Sequence, residues 1–288
     1  MEVLIPDTWQ QALELKATHP GAVPIAGGTD LMVELNFDRI RPATILDLTR
    51  VEELAEWGPD DGNLRVGAGV TYARLIAELG KQLPGLAIAS RTVGSPQIRN
   101  RGTVGGNLGT SSPAGDGLPP LFAADAEVEL ASMAGTRRIP VHEFVTGPKR
   151  NCLAEDELIA AFHIPPADGP QQFAKIGTRN AMVIAACSLA LTISSSSHTV
   201  AACIGSAGPT PIRAIDAEGF IAAVLDEEDL WSSRRPIAAA ALARFGELVE
   251  QAARPIDDVR GTAAYRHHAL GVLGRRTLSW AWEEYRCA

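Results

Sequence analysis

The stretch "RNRGTVGGNLGTSSPAGD" (residues 99–116) holds five glycines, four Ser or Thr hydroxyls and the amide of Asn107, with few apolar side chains. Such a run reads as a loop and not as a core element. Glycine lets a backbone approach a ligand closely and adopt unusual φ/ψ, so its N–H groups suit a phosphate oxygen. A second run of the same kind, "IAGGTDL" (25–31), follows a strand-like segment and precedes a helical one. Thr29, Thr103, Thr110, Ser111 and Ser112 add hydroxyl donors, and Asn107 adds an amide that both donates and accepts. One Gly-Gly pair alone reads as a turn. Two pairs, each set in hydroxyl-rich sequence, suit a ligand with two linked phosphates.

The common nucleotide fingerprints do not account for these runs. GxxxxGK[ST] is absent. "RVGAGVTY" (65–72) begins like GxGxxG after a strand, but Tyr72 stands where the third glycine is needed. It reads as a strand-to-helix turn.

Outward from the glycine runs, "PDTWQQALELKATHPG" (6–21) has Asp7 and Thr8 as N-cap candidates and Pro20-Gly21 as its stop, which predicts an amphipathic helix. "ATILDLT", "NLRVGAGV" and "ELIAAFHIP" read as strands, and "TYARLIAEL" and "LPGLAIASRTV" as helices. "LPPLFAADAEVELAS" reads as a helix leading into a strand. "PPADGP" (165–170) is the best linker candidate. Beyond it three segments, "QQFAKIGTRN", "VIAACSLALTI" and "HTVAACIGSAG", predict a meander of strands, with "SSSS" (194–197) as a hairpin turn and alanine-rich helices from about residue 214. The pattern is α+β in two parts divided near residue 170.

The chain of 288 residues is 46% hydrophobic and 21% charged, enough for a sizeable core. Its net charge of −8 argues against nucleic acid, which needs a basic surface. The opening "MEVLIPDTWQQALELK" carries no signal-peptide pattern, and "AMVIAACSLALTI" (181–193) is too short to span a bilayer, so a cytoplasmic protein without a transmembrane segment is expected. Cys152, Cys187, Cys203 and Cys287 form no CxxC pair, and the six histidines show no HxxxH or HxH spacing. No metal site is expected on this chain.

Together, "AGGTDL" and "QIRNRGTVGGNLGTSSPAGD" resemble the FAD-binding medium subunit of the molybdenum hydroxylases, a group that includes the xanthine dehydrogenase, carbon monoxide dehydrogenase and 4-hydroxybenzoyl-CoA reductase types. The resemblance extends over the whole chain, with "DELIAAFHIP", "FAKIGTRNA", "GSAGPTPIRA" and "AAYRHHALGVLGRR" in family-like positions. It implies the FAD-binding fold shared with vanillyl-alcohol oxidase and p-cresol methylhydroxylase. That fold would form an FAD-binding domain over residues 1–170, of two α/β subdomains (about 1–55 and 56–170). A C-terminal α+β domain, an antiparallel sheet with helices, would follow over 171–288.

By the same resemblance, Ile25, Ala26, Gly27, Gly28, Thr29, Asp30 and Leu31 would lie along the pyrophosphate and adenosine of FAD. Thr103, Val104, Gly105, Gly106 and Asn107 would hold the pyrophosphate and ribityl region, helped by Thr110 and Asp116. Lys175 matches a family lysine near the flavin, and Leu158 or Ile159 would touch its ring. No residue stands out as an acid, base or nucleophile, so no catalytic residue is expected here.

The implied role is electron transfer. Electrons would arrive from 2Fe-2S centres and leave through FAD to NAD+ or another acceptor. A molybdopterin-binding large subunit and a 2Fe-2S small subunit would be the partners. "GSPQIRNRGTVGGN" and "GPKR" look most like the xanthine dehydrogenase branch, and the lack of a cysteine-rich insertion disfavours the 4-hydroxybenzoyl-CoA reductase type. Some relatives carry an aromatic after the lysine–arginine segment; Met182 and no aromatic stand there in this chain. A self-contained flavin oxidase or reductase and a non-catalytic nucleotide-binding scaffold are the alternatives.

The residues themselves leave other readings open. Asp116, before a proline-led segment, is also a good N-cap, and Asp30 a helix-start acid. Arg99 and Arg101 read equally as a solvated basic pair or as contacts to phosphate or an acidic partner.

Overall fold

A short apolar run after the first helix forms the strand Val23–Ile25, which pairs in parallel with Thr44–Asp47. Glu2–Leu4 pairs in parallel on the other side, giving a three-stranded sheet with Thr44–Asp47 at its centre. The connecting helix Trp9–Thr18 is capped by Thr8, whose hydroxyl accepts from Gln11 N at 3.2 Å. The molecule is a computed structural model describing residues 1–288.

This small sheet belongs to the first of two compact units, Met1–Ala77, Gly94–Ser112 and Asp125–Pro165. The same unit holds a five-stranded antiparallel sheet in the order Trp57–Asp60, Asn63–Gly67, Leu158–Ile164, Glu127–Ser132, Gly135–Pro140. This second sheet is wholly antiparallel: two hairpins, Trp57–Asp60 with Asn63–Gly67 and Glu127–Ser132 with Gly135–Pro140, flank the later strand Leu158–Ile164. Leu158–Ile164 is central and almost fully buried, matching a sequence that is apolar except for His163, which meets Glu129. Ala12, Leu13, Leu46, Leu54, Ala68 and Leu158 share one core, so both sheets close on the same apolar centre.

The second unit comprises Glu78–Val93, Pro113–Ala124 and Pro166–Ala288. The three predicted strands form an antiparallel meander, Gln171–Ile176, Cys187–Ser194 and Thr199–Gly205, with Ile212–Arg213 added at the edge. The helices Ile215–Glu227, Ala239–Ala252 and Ala263–Cys287 pack their apolar stripes with the meander into one core containing Leu189, Leu225, Phe245, Leu270 and Trp282. Gly246 and Gly274 let the last two long helices touch: a Cβ at Gly246 would stand 2.5 Å from Gly271 O. No helix is long and apolar enough to cross a membrane.

One expectation needs correction. The glycine-rich stretch 99–116 is not a loop throughout, because Val104–Thr110 is helical and buries Val104, Gly105 and Leu108. Helix propensity argues against this, each glycine costing about 1 kcal/mol relative to alanine. Thr103 offsets part of the cost as N-cap, its hydroxyl accepting from Gly106 N at 2.8 Å. Leu108, fully buried, anchors the helix in the core.

Candidate functional site

A cleft of about 560 Å³ opens in the first unit, and both glycine-rich segments line it. Ala26, Gly27, Asp30 and Leu31 come from the turn and helix start after Val23–Ile25. Thr103, Gly105, Gly106 and Thr110 come from the glycine helix and its cap, and Leu158 and Ile159 from the start of the central strand. Ile25, Gly28, Thr29, Val104 and Asn107 belong to the same segments without lining the wall. Gly28 has φ +75°, a left-handed conformation that favours glycine and turns the chain into the following helix.

The glycines have different reasons for being glycine. At Gly27 a Cβ would stand 1.9 Å from Arg101 O, and at Gly105 2.4 Å from Ala68 O, so both are required by close backbone packing. Gly106 would place a Cβ against Thr103 Oγ1 alone, at 3.1 Å, and Gly109 against Ile159 Cδ1 alone, at 3.6 Å. Both are exposed and line the cleft. With Thr103 and Thr110 they form one face of the helix at three- and four-residue spacing. Neither position is closed by backbone: Gly106 meets only the capping hydroxyl and Gly109 only a side-chain methyl, so both leave the backbone open to the cleft. A wall of small residues and hydroxyls, continuing into apolar surface, fits an extended dinucleotide such as FAD.

The two segments are tied together across the cleft. Thr110 Oγ1 donates to Asp30 Oδ2 at 3.0 Å. Asp30 stands at the N-cap position of the helix Leu31–Asn36, yet its side chain makes no capping bond. The far end of the glycine helix turns through Ser111, with φ +46°, and is held by the hairpin of Val145–Gly147 and Arg150–Asn151. There Lys149 N donates to Ser111 O at 2.9 Å, and Asn151 Nδ2 donates to Gly109 O at 2.9 Å.

Sequence reasoning missed several lining residues. "RVGAGVTY" is the strand-to-helix turn expected, but its Ala68, Gly69 and Thr71 also form part of the wall. Val23, Pro24, Leu48, Val51, Leu54 and Leu153 add apolar lining. Lys149 and Glu34 form an ion pair at 2.5 Å, and that hydrogen bond is the largest influence lowering the Glu34 pKa. Glu157 accepts from Arg137 at 2.6 and 2.8 Å and from Ala154 N at 2.9 Å. The Arg137 hydrogen bonds hold its carboxyl below the usual range. The only advance signal for these residues was the apolar segments flanking each glycine run.

Asp116 and Lys175 lie in the second unit, where they meet each other. Lys175 Nζ donates to Asp116 Oδ2 at 2.6 Å, to Thr92 O at 2.9 Å and to Val183 O at 3.1 Å. Thr92 Oγ1 is 3.4 Å from the same carboxylate oxygen. Gly117, and not Asp116, occupies the cap position of the helix Leu118–Ala123. Burial pushes the Asp116 carboxyl above its ordinary pKa, against the opposing pull of Lys175 and then Thr92. Asp116 Oδ1 is buried with no hydrogen-bond partner. Met182, where some relatives carry an aromatic, is exposed and has φ +50°.

Residues 1–167 match the family described as the FAD binding domain in molybdopterin dehydrogenase, and residues 172–281 match the CO dehydrogenase flavoprotein C-terminal domain. A xanthine dehydrogenase FAD-binding subunit of Escherichia coli O157:H7 is 31% identical over 284 residues, covering 95% of this chain and 93% of that one. The nicotine 6-hydroxylase medium subunit of Paenarthrobacter nicotinovorans is 31% identical over 288 residues, covering 95% and 94%. Among solved structures, carbon monoxide dehydrogenase from Hydrogenophaga pseudoflava has a chain that superposes with a TM-score of 0.88 at 25% identity, covering 100% of this chain and 98% of its own. The cleft built from two glycine segments and these whole-length matches lead to one conclusion: the chain belongs to the FAD-binding medium subunits of the molybdenum hydroxylases, the family of the xanthine and carbon monoxide dehydrogenases.

Proposed function

We propose that the chain is the electron-transfer subunit of a xanthine dehydrogenase-like complex, receiving electrons from 2Fe-2S centres and delivering them through FAD to NAD+ or another acceptor. FAD, when bound, supplies the chemistry: it takes electrons singly and releases them as a pair. The chain binds and orients. Residues 1–170 would form the FAD-binding domain and 171–288 the C-terminal domain. In this reading Ile25–Leu31 lie along the pyrophosphate and adenosine, and Thr103–Asn107 with Thr110 hold the pyrophosphate and ribityl region. Asp116 would help at the pyrophosphate and ribityl region, Leu158 or Ile159 would touch the flavin ring, and Lys175 would lie near the flavin.

The observation that carries this reading is Gly106 and Gly109, which face the cleft and are closed off by no backbone of the fold. The state of the cleft's carboxylates agrees with a positioning role. Glu34 is held by Lys149, Glu157 by Arg137, and Asp30 accepts a hydroxyl hydrogen bond. Substrate oxidation would then fall to a molybdopterin-binding large subunit, with a 2Fe-2S small subunit between.

Anaerobic rapid mixing of the co-expressed complex tests this. The organic substrate should bleach the flavin in the intact complex, and NAD+ or the physiological acceptor should restore its colour. The isolated FAD-loaded chain should be bleached by dithionite and not by substrate. Substrate-dependent bleaching of the isolated chain would overturn the reading in favour of a self-contained flavin enzyme.

A further inference from the structure

The cleft wall carries two cations, Arg101 and Lys149, and three carboxylates, Asp30, Glu34 and Glu157. Lys149 is committed to Glu34 and Glu157 to Arg137, while Asp30 accepts from Thr110. The Arg101 guanidinium has neither an ion-pair nor a hydrogen-bond partner in the fold. It is the one cation of the wall left uncommitted.

Its backbone, by contrast, is fixed. Arg101 N donates to Ile98 O at 3.1 Å, and Tyr72 N donates to Gly102 O at 2.9 Å. Gly27 packs so closely on the Arg101 carbonyl that a Cβ there would stand 1.9 Å away. Arg101 therefore springs from the seam where the two glycine segments touch. The donors nearest along the chain, the backbone and hydroxyls of residues 103–106, are neutral, so a diphosphate lying there would meet no other free positive charge. A guanidinium offers a planar fork of donors matched to phosphate oxygens.

We propose that Arg101 is the cationic anchor for the diphosphate of a dinucleotide in this cleft, and that this diphosphate is the cofactor's own. The inference rests on the FAD-binding reading above. The same chemistry is available from a nicotinamide dinucleotide acceptor, and the test separates the two sources.

The measurement uses the co-expressed complex, stripped of flavin with concentrated bromide and titrated with FAD by fluorescence quenching. Arg101→Gln should weaken FAD binding about ten- to a hundredfold, the range for a lost charge-assisted hydrogen bond. Arg101→Lys, which keeps the charge without the fork, should recover part of the loss. It also serves if the Gln variant does not accumulate. The dependence of the dissociation constant on salt should be shallower for Gln than for wild type. The thermal midpoint of the flavin-free complex should not change. Wild-type FAD affinity and salt dependence in Arg101→Gln would overturn the inference alone. So would unchanged FAD affinity with a raised KM for NADH, which would move the contact to the acceptor. A wild-type complex that takes up no FAD would overturn the functional reading together with it.

Discussion

At Gly105 a methyl group would stand 2.4 Å from Ala68 O, whereas at the next residue, Gly106, it would meet only Thr103 Oγ1 at 3.1 Å and otherwise enter the cleft. Gly105→Ala should therefore lower the stability of the flavin-free chain by about 3 kcal/mol, the scale of overpacking against backbone that cannot yield. Gly106→Ala should leave that stability within about 1 kcal/mol, because helix propensity gained offsets the tight contact, yet weaken FAD binding. Paired denaturant melts and FAD titrations distinguish them; equal loss of stability in both would show that Gly106 serves packing. Glu157 adds a pH signature. Its folded-state pKa is lowered, chiefly by Arg137, so its contribution is full above its ordinary value near about 4.3 and is lost as pH falls through the folded value. The stability gap between wild type and Glu157→Gln should hold at neutral pH and narrow below about pH 4. A gap independent of pH would contradict the ion-pair account. Residues of this kind divide by legibility: the glycines advertise their backbone chemistry locally, but Glu157, Lys149 and Ala68 reach the cleft only through tertiary folding. No local spacing could announce them.

Among the elements, the helices with a hydroxyl cap and a periodic apolar face were readable in advance, as with Thr8 and Trp9–Thr18. So was the meander of three strands, whose apolar runs are separated by polar turns. The glycine helix Val104–Thr110 was not, since glycines at 105, 106 and 109 mask any helical propensity and the tie that forms it, Thr103 to Gly106 N, looks like one hydroxyl among many. The same blindness hides Gly246. Its sequence context is an alanine-rich amphipathic helix, but its role is to admit the neighbouring backbone, with Gly271 O 2.5 Å from where a Cβ would be. Gly246→Ala should push the helices Ala239–Ala252 and Ala263–Cys287 apart and cost about 1–3 kcal/mol. A fall in the thermal midpoint without loss of FAD affinity is expected. An unchanged midpoint would mean that the two helices are not packed as closely as described.

For the whole molecule, the chain passes between its two units more than once: Glu78–Val93 and Pro113–Ala124 join the second unit while the segment between them, Gly94–Ser112, carries the glycine helix into the first. A linear reading of composition does not reveal such exchange, because each short excursion is ordinary in hydrophobicity and turn content. What the whole chain does declare is the pairing of two glycine segments without a known nucleotide fingerprint, and that pairing is what the cleft realises. The central claim is that this cleft holds FAD. It is tested most directly by extracting and quantifying the flavin from the co-expressed, well-folded complex. The account predicts one FAD per copy of this chain, bleached by dithionite. A colourless complex, or one whose extracted flavin is FMN, would contradict it.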